Sequence, residues 1–141
     1  MPLFLTLAGF VIGLGAVTVI DLHGFFGRTS PYWTEATIRT HKITKPLIWL
    51  GIALVCLGLI WLRAVSTFTI PTLLWYSIPV LIANGLFLTF WVSPRLIQRE
   101  NEGRAQEILP QSWQTAITIS FFISLAGWWG SLFVLTDSLL R

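Results

Sequence analysis

Four long apolar stretches constrain this chain more than any other feature. They cover residues 3–20, 46–62, 70–92 and 113–135, and none of them contains Asp, Glu, Lys or Arg. Each comes close to the roughly 20 apolar residues that an α-helix needs to cross a bilayer. We therefore predict an all-α integral membrane protein, with a single domain over residues 1–141 that forms a bundle of four transmembrane helices.

Composition agrees with a bilayer as the solvent. The chain is 55% hydrophobic and 11% charged, whereas soluble domains are about 25% charged. The first stretch lacks the positively charged start and the small-residue cleavage site of a signal peptide. We expect it to be retained as the first helix.

Helix signals divide the chain further. We predict that the first helix ends at Asp21, because His23-Gly24 and Gly27 follow it. A second helix begins near Ser30-Pro31, since proline suits a first helical turn, and continues through Pro46 into the second span. The third span is predicted to continue as a helix past Ser93-Pro94, with an interruption near Gly103. The second and third helices would then extend beyond the bilayer on the same side.

Small and polar residues inside the spans predict close helix packing. Gly9 and Gly13 form a GxxxG pattern, which allows another helix to approach closely. The fourth span carries a stripe of small residues at helical spacing: Ser120, Ser124, Gly127 and Ser131. Asn84, in the middle of the third span, needs an internal partner because lipid offers none. That partner is either another helix or a ligand.

The distribution of Lys and Arg predicts orientation. Seven cations lie in the first and third connections: Arg28, Arg39, Lys42, Lys45, Arg95, Arg99 and Arg104. The opposite side has two, Arg63 and Arg141. The positive-inside rule places both long connections in the cytoplasm and both termini outside a bacterial-type inner membrane. Because this charge lies beside membrane spans, we expect it to set topology or to bind anionic lipids, and we expect no nucleic-acid partner.

Few residues are candidates for chemistry. The chain has no phosphate-binding glycine loop, no zinc-type spacing and no nucleophile elbow, and Cys56 is its single cysteine. No catalytic residue is predicted, and whether the protein is an enzyme stays open. Before the second span, Thr37 and His41 lie four residues apart, and Lys45 continues the same helix face.

The two histidines are the main candidate ligands. His23 follows the first span and His41 precedes the second, so both lie near the cytoplasmic boundary. Imidazole is an axial ligand of haem iron, and helix bundles enclose such cofactors. We predict a b-type haem or similar redox cofactor with His23 and His41 as metal ligands. Its other predicted contacts are Asp21, which would orient an imidazole, and Arg28, Arg39 and Lys42, which would pair with the propionates.

Three other interpretations stay open. The histidines can be purely structural, or serve a transition metal or a pH-sensitive switch. The protein can be a non-catalytic subunit or scaffold that docks other membrane subunits, a second copy of itself or anionic lipids through its basic connections. It can also be a small-solute transporter built around the third span and Asn84.

The layout resembles two bacterial groups of small four-helix membrane proteins. The segments IRTHKITKPLIWLG, before and within the second span, and PRLIQRENEG, after the third, are similar in arrangement to the haem-dependent protoporphyrinogen oxidases of the HemJ type and the related copper-resistance D-like proteins. The resemblance implies that haem binding is reasonable to test. The oxidases carry a lysine and a histidine early in the first span, where this chain has LFLTLAGFVIG. Oxidase activity is therefore not implied.

Overall fold

A computed structural model describes residues 1–140. Four helices account for most of this part of the chain: Pro2–Phe26, Pro31–Val65, Thr72–Asn101 and Gln111–Leu140. They are called the first to fourth helix below. Each is long and apolar enough to cross a membrane, and the described residues contain no strand. The all-α four-helix prediction is confirmed. Arg141, which entered the charge comparison, lies outside the described residues.

The first helix does not end at Asp21. It continues to Phe26, and the backbone N–H of Gly27 closes its last turn on the His23 carbonyl at 2.8 Å. The His23 ring also bonds to the Val19 carbonyl at 2.7 Å. Because helical bonding continues through His23 and Gly24, the prediction of an end at Asp21 was wrong. Asp21 lies one turn inside the helix.

The second and third helices extend as predicted. The second begins at Pro31 and passes Pro46 without interruption. The third continues past Ser93 to Asn101, and Gly103 then takes a φ of 71°, a conformation that glycine adopts at low cost. A π-helical turn over Leu88–Val92, for which the sequence gives no signal, precedes this extension.

The first and second helices pack backbone to backbone. A Cβ atom added to Gly51 would lie 2.5 Å from the Cα of Gly13, and one added to Gly9 would lie 2.6 Å from the backbone nitrogen of Val55. Gly58 faces Thr6 equally closely. The predicted role of the GxxxG pattern is confirmed, and its partner is the glycine face of the second helix.

The small-residue stripe of the fourth helix also packs as predicted. Ser120, Ser124 and Ser131 are buried, and Gly127 faces Leu81 of the third helix. Trp128, 2% exposed, fills the centre of the bundle against Phe10, with the rings edge to face at 5.9 Å.

A second apolar cluster closes one end of the bundle. It consists of Ile38, Val92, Leu96 and Leu109. Buried Arg99 donates to the carbonyl of Glu107 at 3.1 Å and holds the 102–110 connection over this cluster. We call this end, which carries connections 27–30 and 102–110, the connection end.

Candidate binding cavity

A small, partly enclosed cavity lies between the four helices toward the connection end. Its volume is about 60 Å³. That is room for a few water molecules, and far below the roughly 300–1,000 Å³ of sites for drug-sized ligands. Its polar and charged lining comes from all four helices: Asp21, Thr37, His41, Lys45, Trp49, Asn84, Thr89 and Ser124.

Asp21 faces this cavity because the first helix stays helical around it. Val17, Ile20 and Gly24 are its neighbours on the same helix face and line the cavity too. Ser124 of the fourth helix lines the same cavity. The carboxyl oxygen Oδ2 of Asp21 is buried and has no hydrogen-bond partner within residues 1–140. A buried acceptor without a partner is costly, and in native proteins it often marks water, an ion or a ligand.

His41 contributes the second unpartnered atom. Its Nε2 is buried and bonds to no other described group. Thr37 and Lys45, one turn before and one turn after it, line the same cavity, which confirms the helix face predicted for these three residues. The Thr37 hydroxyl is already bound to the Trp33 carbonyl at 2.7 Å. His41 is therefore the acceptor or donor that the second helix offers to a ligand.

The charges on the cavity wall are balanced but not paired. Asp21 and Lys45 both line it, yet no salt bridge of 4.0 Å or less joins them in the described chain. One acidic and one basic residue thus line the same small space from different helices.

The third helix supplies groups whose hydrogen bonds are already made. Asn84 donates to the Ser120 carbonyl at 3.2 Å and accepts from the Ser120 hydroxyl at 2.8 Å. The predicted interhelical bond of Asn84 is therefore confirmed, although Asn84 also lines the cavity. The Trp49 indole donates to the Thr89 hydroxyl at 3.2 Å, within the π-helical turn. Such turns are frequent at functional sites, and Leu88, Thr89 and Val92 of this one border the cavity.

His23 lies in a different environment. It does not line the cavity, and its ring packs edge to face on Trp33 with centroids 5.2 Å apart. Its Nδ1 donates to the Val19 carbonyl, because a carbonyl oxygen only accepts. In the neutral ring the lone pair is then on Nε2. That is the tautomer of a typical metal-ligating histidine, but the structure does not bring His23 and His41 into one cavity.

The predicted propionate partners lie outside the cavity as well. The Arg28 guanidinium stacks on the Phe25 ring at 3.7 Å and donates to the Phe25 carbonyl. Arg39 pairs with Glu35, and Lys42 pairs with Glu100 of the third helix at 2.8 Å. Each of these cations already has a partner in the protein.

A haem does not fit the cavity as the residues are placed. The space is too small for a macrocycle, and it offers one imidazole, that of His41. The described residues also contain no group of three or more His, Cys, Asp or Glu side chains that could hold a metal ion. The bis-histidine haem site stays a prediction, and the cavity is not that site.

Sequence reasoning missed two parts of this arrangement. Ser124 was assigned only to a packing seam, although it also lines the cavity. The π-helical turn left no recognisable signal in LTFWV. The position of Asp21 did carry a signal in the sequence. A carboxylate next to a long apolar stretch avoids lipid and faces either water or the protein interior, which makes it a candidate site residue.

Comparison with known proteins adds no relative. No family model, no curated protein and no solved structure matches this chain.

Proposed function

We propose that this protein is a small membrane-embedded binding protein, whose cavity between the four helices takes a small polar ligand. One observation carries the proposal. Two buried atoms of different helices, Asp21 Oδ2 and His41 Nε2, line the same cavity and lack hydrogen-bond partners in the described chain. Buried polar groups without partners are rare, so two at one small cavity favour an occupant.

The cavity favours a small ligand without net charge. Asp21 and Lys45 both line the cavity, so an ion of either sign lies near a residue that carries a charge of its own sign. The volume of about 60 Å³ limits the ligand to a few heavy atoms. A molecule that both donates and accepts hydrogen bonds satisfies Asp21 and His41 together.

Thermal unfolding of the detergent-purified protein tests this proposal. The probes are urea, glycine, imidazole, ammonium chloride and sodium formate. A ligand that binds only the folded state raises the melting temperature with concentration. We expect a neutral or zwitterionic probe to do so in the wild type, and the rise to disappear in Asp21→Asn and His41→Gln.

The matched control is His23→Gln, because His23 lies outside the cavity. It should keep the wild-type response to every probe. If no probe raises the melting temperature, or if the rise is unchanged in both cavity variants, binding of small solutes is excluded.

The haem prediction needs its own test. Absorption spectra of the purified protein, oxidised and dithionite-reduced and with haem added, would show a Soret band if haem binds. The placement of the histidines predicts that His23→Ala and His41→Ala have separable effects, because the two rings lie in different environments. A spectrum without a Soret band, even with added haem, removes the haem prediction.

We also propose that the connection end faces the cytoplasm, with both termini outside. The support is the excess of Lys and Arg at that end. An introduced cysteine reports on which side of the membrane the connection end lies. Tyr32 is a suitable position because it is 69% exposed. In a Cys56→Ala background, Tyr32→Cys should react with an impermeant thiol reagent only after the cells are opened. Labelling of intact cells would reverse the orientation.

The alternative proposal is a docking subunit that binds anionic lipids or partner proteins through its basic connections. Four of the seven cations already form ion pairs: Arg39, Lys42, Arg99 and Arg104. Arg28, Lys45 and Arg95 make no ion pair in the described chain and support this alternative, although Arg28 and Arg95 each bond to a backbone carbonyl and stack on an aromatic ring. Lipid analysis of the purified protein tests it: enrichment of anionic lipid should fall in Arg28→Gln with Arg95→Gln. Equal enrichment in the variant argues against docking through these residues.

A further inference from the structure

Three of the four sides of the cavity are held together by close contacts between neighbouring helices. The first and second helices meet backbone to backbone at Gly13 and Gly51, and Gly13 also faces Trp128 of the fourth. The third and fourth helices are joined by the two hydrogen bonds between Asn84 and Ser120. The remaining side lies between the second and third helices.

Trp49 spans this remaining side. Its indole donates to the Thr89 hydroxyl at 3.2 Å, and its ring lies over Gly85, where an added Cβ atom would be 3.5 Å away. Toward the chain termini the same two helices separate around an apolar groove of about 170 Å³, whose lining includes Cys56 and Trp75. One side chain thus closes the cavity where the two helices leave a gap farther along.

The exposure of the lining residues points to the same side. Those that flank the gap on the second and third helices are partly exposed: Lys45, Ile48, Trp49, Gly85, Leu88 and Thr89. Most of those from the first and fourth helices are buried, among them Val17, Ser124 and Trp128. The partly enclosed cavity therefore comes nearest to the protein surface between the second and third helices.

We propose that the ligand enters and leaves the cavity between the second and third helices, and that Trp49 is the residue that closes this entrance. Opening requires the indole to release the Thr89 hydroxyl and to move away from Gly85. One hydrogen bond between neutral groups contributes little net free energy, so the closure is reversible. Elements that close over a site set the rates of binding and release. The inference rests on the proposed function for its ligand, but it concerns the route to the site.

The position of Trp49 along the second helix suits a polar ligand. Lys45 directly precedes the charge-free stretch 46–62, and Trp49 lies one helical turn beyond it. Lys45 also lines the cavity. A small polar solute thus reaches the entrance near the membrane boundary, without crossing the apolar centre of the bilayer.

Modification of a cysteine inside the cavity tests the entrance. In a Cys56→Ala background, Ser124→Cys places a thiol on the cavity wall formed by the fourth helix. The probe is methyl methanethiosulfonate, a small neutral reagent, and mass spectrometry follows the reaction well below the melting temperature of each variant. We expect Trp49→Ala to raise the rate about tenfold or more, because neither the indole nor its hydrogen bond then closes the route.

A second variant keeps the test decisive if Trp49→Ala does not fold. Thr89→Val preserves side-chain volume and removes the acceptor of the indole N–H, and should raise the rate about threefold or more. The controls are Trp61→Ala, on the same helix but outside the cavity lining, and Leu109→Ala, in the apolar cluster at the connection end. Neither control should change the rate.

An unchanged rate in both Trp49→Ala and Thr89→Val would overturn the inference. So would an equal rise in Trp61→Ala, or a larger rise in Leu109→Ala, which would place the entrance at the connection end. The result is separable from that of the proposed function. If solutes raise the melting temperature but the modification rate does not respond to Trp49→Ala or Thr89→Val, binding stands and this entrance falls. If the rate responds but no solute raises the melting temperature, the entrance stands and solute binding falls.

Discussion

The pairing of the first two helices differs from the attachment of the third. In their most apolar windows 44% of the first helix is buried inside the protein, against 11% of the third. The first pair is held by glycines that bring two backbones together. The third helix instead packs through the buried side chains of Leu74 and Leu81, with Leu81 against Gly127. It also makes a few interhelical hydrogen bonds: Asn84 with Ser120, Ser77 with Ser131, and Thr89 with Trp49. Lipid gives no hydrophobic drive between helices, so close packing and hydrogen bonds are the two available means of association.

This difference explains where the cavity forms. Glycine-mediated packing leaves no space between the first two helices at Gly9, Gly13 and Gly51. Toward the connection end the packing is made instead by side chains around the third helix and its π-helical turn. Polar groups that are unpartnered within the protein collect there, between a tight pair of helices and a loosely attached third.

A substitution in the close contact between the first and second helices should lower stability the most. Gly51→Ala places a methyl group 2.5 Å from the Cα of Gly13, where no flexible side chain can yield. Overpacking of this kind costs about 1–3 kcal/mol. We expect a clear fall in the melting temperature of the protein in detergent. The control is Gly15→Ala, since an added Cβ there meets no atom within 4 Å. Equal stability of the two variants would contradict backbone-to-backbone packing.

Loss of the hydrogen bonds of the third helix should lower the stability of the protein by a smaller amount. Asn84→Leu removes both hydrogen bonds to Ser120 in a buried position. Interhelical hydrogen bonds in membranes average about 0.6 kcal/mol and reach about 1.7 kcal/mol. A double-mutant cycle with Ser120→Ala, followed by reversible unfolding, measures the coupling of the two side chains, because this substitution removes the Ser120 hydroxyl and keeps its carbonyl. Additive effects would mean that the hydroxyl bond does not help to attach the third helix to the fourth.

An ion pair at the connection end should contribute to stability in a salt-dependent way. Lys42 pairs with Glu100 at 2.8 Å between the second and third helices, and about half of the lysine side chain is exposed. Such a pair contributes about 0–1 kcal/mol, and salt screens it. Lys42→Gln should lower the melting temperature slightly at low salt and not at high salt. Arg63→Gln, at the opposite end, serves as the comparison, and a loss that persists at high salt would rule out the ion pair as its cause.

The smallest expected effect is a change in the titration of one carboxyl group, in the exposed 102–110 connection. The hydrogen bond from Arg104 holds the pKa of the Glu107 carboxyl below its ordinary value of 4.5. A lowered carboxyl pKa stabilises the folded connection at pH values above the ordinary pKa. This contribution is lost as the pH falls through the lowered pKa. The Glu107 carboxyl should therefore titrate in carbon NMR at lower pH than in Arg104→Gln. The same midpoint in both proteins would show that the interaction is absent in solution.

Several features of this protein follow from the sequence alone. Charge-free stretches of bilayer length specified four helices, because backbone groups in lipid must bond within their own segment. The Gly9 and Gly13 spacing, the serine stripe and Asn84 predicted which faces pack. The i and i+4 spacing of Thr37, His41 and Lys45 placed them on one face, since the helix period fixes that relation.

The tertiary structure decided what those faces meet. Asp21 was assigned to a helix end, but local bonding at His23 and Gly27 keeps it inside the helix, where it lines the cavity. His23 and His41 were both predicted near the cytoplasmic boundary, yet one packs on Trp33 and the other lines the cavity. Spacing within one helix determines a face, whereas the partner of that face depends on how helices far apart in sequence are placed. That placement depends on the close glycine contacts and on the few hydrogen bonds of the third helix.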